Sequence, residues 1–103
     1  MGMNPGYEQL HRQVEDLEHR TYDSTDKHDD RNSQSLKRQF IALKSDLETA
    51  HNPRNLEDRI KQIQSILEVA RHSSGQFMSI ADADRYWRIF EDMRMSLRKF
   101  PNY

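Results

Sequence analysis

Apolar residues recur along most of this chain at alternating intervals of three and four positions, which places their side chains on one face of an α-helix. The middle of the sequence carries two such stripes. The first consists of Leu36, Phe40, Leu43, Leu47 and Ala50. The second consists of Leu56, Ile60, Ile63, Leu67 and Ala70. The spacing predicts one helix over residues 34–51 and another over residues 54–72.

The dipeptide Asn52-Pro53 lies between these two stripes. Asparagine offers a side-chain acceptor at a helix N-cap, and proline suits the first helical position because its missing N–H has no partner there. Proline also disfavours helical geometry in the residue before it. The second helix therefore begins after a very short connection, and the two helices are predicted to form an antiparallel hairpin.

A third stripe, near the C-terminus, is the most aromatic of the chain. It consists of Ala83, Tyr86, Phe90, Met93, Leu97 and Phe100, with Trp87 beside it. Ser79 and Asp82 have the spacing of a capping box, and Pro101 ends the pattern. The spacing predicts a C-terminal helix over residues 80–100.

The N-terminal segment carries a shorter stripe. It consists of Tyr7, Leu10, Val14 and Leu17. The next position in phase is Thr21 rather than an apolar residue, so the pattern predicts a helix over residues 5–21. Residues 22–33 contain one aromatic and no aliphatic side chain, which is typical of a mobile polar linker or a frayed helix end.

These segments predict an all-α fold, a small antiparallel helical bundle that forms a single domain over residues 1–103. The chain has only three glycines and three prolines, too few for the turns of an all-β fold. The bundle has either four helices, or three helices with a loosely docked N-terminal helix. We expect Phe77 and Met78, in the last loop, to pack under it. Since only 34% of the residues are hydrophobic, a homo-oligomer or a protein partner is expected to add stability.

Composition excludes several classes of protein. The sequence contains no cysteine, which excludes disulfide scaffolds, thiolate metal sites and cysteine nucleophiles. It has neither an apolar run long enough for a membrane helix nor the charged and apolar regions of a secretory signal. We therefore expect a soluble, cytoplasmic protein with no membrane partner. The formal charge of -1 is not typical of a dedicated polyanion binder.

Histidine and carboxylate pairs are the feature that comes closest to a metal or catalytic site. Three histidines follow a carboxylate by three positions, in the pairs Glu8 and His11, Asp16 and His19, and Glu48 and His51. Metal sites in bundles need such pairs on two helices, facing inward at mid-height. Here His51 falls at a predicted helix end, and the other two flank an apolar stripe, so all three are interpreted as solvated residues. We expect no metal, no cofactor and no enzymatic activity.

The predicted C-terminal helix carries the candidate functional residues. Between residues 85 and 99, five basic side chains oppose only Glu91 and Asp92. The candidate contact residues are the basic and aromatic side chains of this segment, namely Arg85, Trp87, Arg88, Arg94, Arg98, Lys99 and Tyr103. An ordinary amphipathic helix, with Trp87 in the core and arginine stems covering it, explains the same pattern.

Two functional hypotheses follow from this helix. The first is a non-catalytic cytoplasmic protein-interaction module, acting as an adaptor, assembly factor or regulator, because aromatic and arginine side chains are enriched at protein interfaces. The second is a nucleic-acid-binding bundle that uses the same arginines. Binding that falls steeply with salt would distinguish the second hypothesis from the first.

Overall fold

The fold is described from a computed structural model of the chain, which describes residues 5–25, 31–49, 51–72 and 77–100. Over these residues the chain forms four α-helices and no strand. Helix α1 spans Pro5–Thr25, α2 spans Arg31–Glu48, α3 spans Pro53–His72 and α4 spans Ile80–Leu97. The predicted all-α bundle is confirmed.

Helix α1 docks on the bundle through its whole apolar stripe. Its stripe residues are all buried, with Tyr7 3%, Leu10 8%, Val14 1% and Leu17 2% exposed. Of the two predicted arrangements, the four-helix bundle is therefore the correct one, and the loosely docked N-terminal helix is wrong.

The helices extend further into the predicted linker than the hydropathy pattern indicated. α1 continues to Thr25 and α2 begins at Arg31, so residues 22–25 and 31–33 are helical, whereas residues 26–30 lie outside the described residues. The reason is visible at Thr21 and Ser33, which continue the two stripes in phase and are fully buried. At both positions a small polar side chain fills a place in the core, so the helix continues beyond the apolar residues of its stripe.

The predicted helix starts at the other two connections are confirmed by their caps. Asn52 accepts a hydrogen bond at its Oδ1 from the backbone N–H of Asn55 at 2.9 Å, and Pro53 is the first residue of α3. Ser79 caps α4, because its Oγ accepts from the backbone N–H of Asp82 at 3.1 Å. Each cap satisfies a backbone N–H that the helix itself leaves without a partner.

Contacts between helix ends show that consecutive helices run antiparallel. The Tyr7 hydroxyl, near the start of α1, donates to the backbone carbonyl of His51 at 2.8 Å, just after α2. The Tyr7 ring stacks on Phe100, just after α4, at 5.3 Å between ring centroids. At mid-height, Phe40 of α2 meets Phe90 of α4 at 5.7 Å. The bundle thus runs up, down, up and down around one core.

The loop before α4 contributes to this core. Phe77 is 0% exposed and Met78 is 6% exposed, as the sequence predicts. None of the four described helices is long and apolar enough to span a membrane.

Candidate interaction surface on the C-terminal helix

The structure divides the candidate residues of α4 into two groups. Trp87, Arg94 and Arg98 contact α3, whereas Arg85, Arg88 and Lys99 are exposed. Tyr103 lies outside the described residues. The two groups have different partners and therefore different roles.

Arg98 is held by a buried carboxylate of α3. Its Nε donates to Oε2 of Glu57 at 2.9 Å, and its Nη2 lies 3.4 Å from Oε1. The Glu57 side chain is 3% exposed, and Lys61 approaches it at 3.6 Å. A carboxylate removed from water needs such charged partners, so Arg98 stabilises the fold. This contact is the first of three polar layers between α3 and α4.

Arg94 belongs to a second polar layer between α3 and α4. Its Nη1 donates to Glu91 at 2.7 Å and to the side-chain oxygen of Gln64 at 3.3 Å. Gln64 in turn donates to Glu91 and to the backbone carbonyl of Trp87, both at 3.2 Å. Because the Arg94 side chain is only 17% exposed, it has little surface to offer a partner.

Trp87 belongs to a third layer, in which an arginine of α3 covers its ring. The guanidinium of Arg71 lies 4.3 Å from the ring centroid, a cation–π contact. Arg71 also pairs with Asp84 at 2.9 Å and with Glu68 at 3.1 Å. Trp87 therefore packs against the core and under Arg71, closer to the ordinary amphipathic interpretation than to an open aromatic contact.

Asp84 connects this third layer to the surface. Its carboxylate accepts from Arg88 Nε at 2.8 Å as well as from Arg71. The hydrogen bond from Arg88, with the help of Arg71, holds the pKa of Asp84 below its ordinary value of 3.8. The carboxylate thus lies between the two arginines and pairs with both.

These three layers form a continuous row, called the polar seam below. On α3 it consists of Glu57, Gln64 and Arg71, and on α4 of Arg98, the pair Glu91 and Arg94, and Asp84. Successive α3 members are seven residues apart, and so are residues 84, 91 and 98 of α4. This heptad spacing, beside each apolar stripe, is the sequence signal that could have predicted the seam.

The exposed residues of α4 form a second row, called the outer strip below. It consists of Arg85, Arg88, Asp92 and Met95, at the spacing of one helical face, and of Lys99 in the turn that follows the helix. Arg85 lies 3.8 Å from Asp82, and Arg88 lies 2.8 Å from Asp84. Met95, between Asp92 and Lys99 in the strip, is 49% exposed.

The basic excess predicted for this helix is largely balanced in the structure. The window from 85 to 99 omitted Asp82 and Asp84, which precede it and pair with Arg85 and Arg88. It also omitted Glu57, which comes from another helix and pairs with Arg98. Counting charges along one segment overstated the positive field that a partner would meet.

Two of the histidine and carboxylate pairs meet at His11, whose side chain is 13% exposed, so the interpretation of His11 as a solvated residue is wrong. His11 Nδ1 lies 3.0 Å from Glu15, and its Nε2 lies 2.9 Å from Glu48. The two carboxylates therefore sit at opposite edges of one ring. Within the described residues, no group of three histidine, aspartate or glutamate side chains is arranged to hold a metal ion.

Two shallow depressions mark the surface of the described part of the chain. One, of about 290 Å³, lies between α2 and α3 and is lined by Asp46, His51, Asn55, Asp58, Arg59 and Gln62. The other, of about 310 Å³, lies between α1 and the end of α4 and is lined by Gly6, Gln9, Leu10, Gln13, Ser96 and Phe100. In the first, Arg59 already pairs with Asp46 at 3.0 Å and with Gln39 at 3.1 Å.

Comparison of this chain with models of protein families, with curated proteins and with solved structures finds no match. The functional interpretation therefore depends on the geometry of the bundle alone.

Proposed function

We propose that this protein is a non-catalytic, cytoplasmic protein-interaction module, acting as an adaptor, assembly factor or regulator, that binds a partner protein through the outer strip of α4. The observation that carries the proposal is the charge pattern of the strip. Arg85 and Arg88 are exposed, and each lies beside a carboxylate of its own helix, Asp82 or Asp84. Alternating charges suit another protein surface, whereas a polyphosphate favours an uncompensated positive field.

The pairs on the outer strip are exchangeable. Exposed ion pairs within one helix stabilise it only slightly, because solvent screens the two charges. A partner can therefore replace Asp82 or Asp84 with its own acceptors at little cost. Arg94 and Arg98 differ, because each binds a buried side chain of α3, Gln64 or Glu57.

Met95 gives the C-terminal half of the strip an exposed apolar side chain. It is 49% exposed and lies between the charged residues Asp92 and Lys99 of the strip. Methionine and arginine are both enriched at protein interfaces, where an apolar anchor is surrounded by polar contacts. The absence of cysteine leaves no disulfide framework, which is the usual support of small extracellular domains.

The test is capture of partners from a lysate of the native host, divided into two halves with and without nuclease. Two strip variants are compared with the wild type, the double variant Arg88→Glu with Lys99→Glu, and Met95→Ser. We expect the wild type to capture a defined protein with or without nuclease treatment. The double variant should not capture this protein, and Met95→Ser should capture less of it.

Matched controls separate the strip from general changes in charge and hydropathy. Arg12→Glu with Arg38→Glu makes the same change in charge at exposed positions of α1 and α2, and Ile41→Ser removes an apolar side chain that is 56% exposed. Both controls should capture the partner as the wild type does. Equal capture by every variant would remove the strip from the proposal, and loss of all capture on nuclease treatment would favour nucleic acid. Circular dichroism confirms that each variant is folded.

A further inference from the structure

The spacing of the apolar stripes of α3 and α4 does not by itself fix how the two helices are aligned. Both stripes repeat every seven residues, so sliding α4 by one heptad places Phe90 where Leu97 was and Ala83 where Phe90 was. Apolar residues still face apolar residues over most of the overlap, although Ala83 leaves space where the buried Phe90 ring packs on Phe40. The displacement along the helix axis is about 10 Å, from seven residues at about 1.5 Å each.

The polar seam does distinguish these alignments. In the observed one, an acid of α3 meets a base of α4 at one end, where Glu57 pairs with Arg98, and the signs are reversed at the other end, where Arg71 pairs with Asp84. Gln64 occupies the middle and bonds both Glu91 and Arg94. The order of charges along α3 is therefore negative, neutral, positive, and α4 complements it in antiparallel order.

A slide of one heptad disrupts this complementarity. In one direction, Glu57 faces Glu91 instead of Arg98, so two carboxylates meet at a position where the side chain of Glu57 is 3% exposed. Like charges at such a depth are strongly unfavourable. In the other direction, Gln64 faces Arg98 and Arg71 faces Glu91, while Glu57 lies beyond the last residues of the chain and loses its arginine partner.

We infer that the polar seam selects the alignment of α3 and α4, and that it prevents α4 from pairing one heptad out of place on α3. The seam thereby fixes where along the bundle the outer strip is displayed. Polar groups placed beside an apolar seam have this selecting role in some coiled coils. The inference does not depend on the proposed function.

The test measures a distance along the bundle. Cysteines for spin labels are introduced by Asp58→Cys and Ala81→Cys, at exposed positions far apart along α3 and α4, in a sequence that has no other cysteine. A slide of one heptad changes their separation by about 10 Å. Pulsed electron paramagnetic resonance resolves such a change, and the wild-type background should give one distance.

Three seam variants are compared on this background. Glu57→Arg with Arg71→Glu exchanges the end charges of α3 without changing composition, and should abolish the native distance. Adding the matching exchange on α4, Asp84→Arg with Arg98→Glu, should restore it.

The third variant replaces the α3 side of the seam by leucine, through Glu57→Leu, Gln64→Leu and Arg71→Leu. It should keep its helical circular dichroism while showing a second distance about 10 Å from the first. If the exchange of charges on α3 unfolds the protein, the leucine variant still tests the inference. A single native distance in this folded variant, or in the folded α3 exchange, would overturn the inference and leave the alignment to the packing of the core, in which Phe77 and Phe90 are fully buried. The inference also fails if the matched exchange on both helices does not regain the native distance.

Discussion

Replacing Arg98 by alanine should destabilise the bundle by about 1.5–2 kcal/mol. The guanidinium is 47% exposed, which for an isolated surface pair implies almost no effect. Its partner Glu57, however, is 3% exposed, and the two contacts at 2.9 and 3.4 Å are charge-assisted hydrogen bonds. Hydrogen bonds to charged groups contribute about 1.5–3 kcal/mol, and solvent around the arginine places this pair near the lower limit. Lys61, at 3.6 Å, compensates part of the loss.

Urea unfolding followed by circular dichroism measures this effect, with Arg85→Ala as the matched control. Arg85 also pairs with a carboxylate, but that pair is exposed and 3.8 Å apart, so its loss should cost less than about 0.5 kcal/mol. In a domain of this size, the Arg98 variant should melt about 10 °C below the wild type. The double variant Glu57→Leu with Arg98→Ala should recover most of the stability, because leucine needs no charged partner. Equal stability of the Arg98 and Arg85 variants, or a double variant as unstable as the single one, would refute the reasoning.

Three further predictions follow from the core, a cap and a carboxylate. Phe90→Ala should cost about 3–5 kcal/mol in urea unfolding, because the ring is fully buried at the centre of the bundle. Ser79→Ala should cost about 1 kcal/mol in the same measurement, because it removes the acceptor that caps α4. The pKa of Asp84, followed by NMR titration of its carboxyl carbon, should lie below 3.8 in the wild type and rise towards that value in Arg88→Ala. A carboxyl group with a lowered pKa in the folded state stabilises that state at pH values above its ordinary pKa, and this stabilisation is lost as the pH falls through the lowered pKa. Asp84→Asn should therefore weaken the dependence of the free energy of unfolding on pH below about 4.

The helices and their order could be predicted because their signals are local. Spacings of three and four residues place Phe40 and Phe90 in the core whatever the rest of the chain does, and they are fully buried. The caps at Asn52 and Ser79 are similarly local, since each side chain bonds a backbone N–H three residues ahead. Such features need only the preferences of a short segment.

The linker boundaries could not be predicted in this way. Hydropathy treats Thr21 and Ser33 as breaks in the stripes, although their small side chains fit into the core. Whether a hydroxyl is tolerated inside a bundle depends on the space and the partners that other helices provide. This information is tertiary, and the sequence of one segment does not contain it.

Only part of the candidate site could be predicted, because the rest also depends on tertiary contacts. The sequence located the cations of α4, but their roles depend on which carboxylates face them. Arg94 and Arg98 turn towards α3, where Gln64 and Glu57 bind them, and Arg71 covers Trp87. Only the alignment of α3 against α4 reveals these partners.

The placement of Trp87 beneath Arg71 gives the protein an internal optical reporter. It is the sole tryptophan of the chain, and its ring lies between the core and a guanidinium of the neighbouring helix. Its emission should therefore shift to longer wavelength when α4 separates from α3, and should respond little to fraying of α1 alone. If fluorescence and circular dichroism give the same unfolding curve, all four helices separate together. If the fluorescence curve lags, the α3 and α4 hairpin persists after α1 has left.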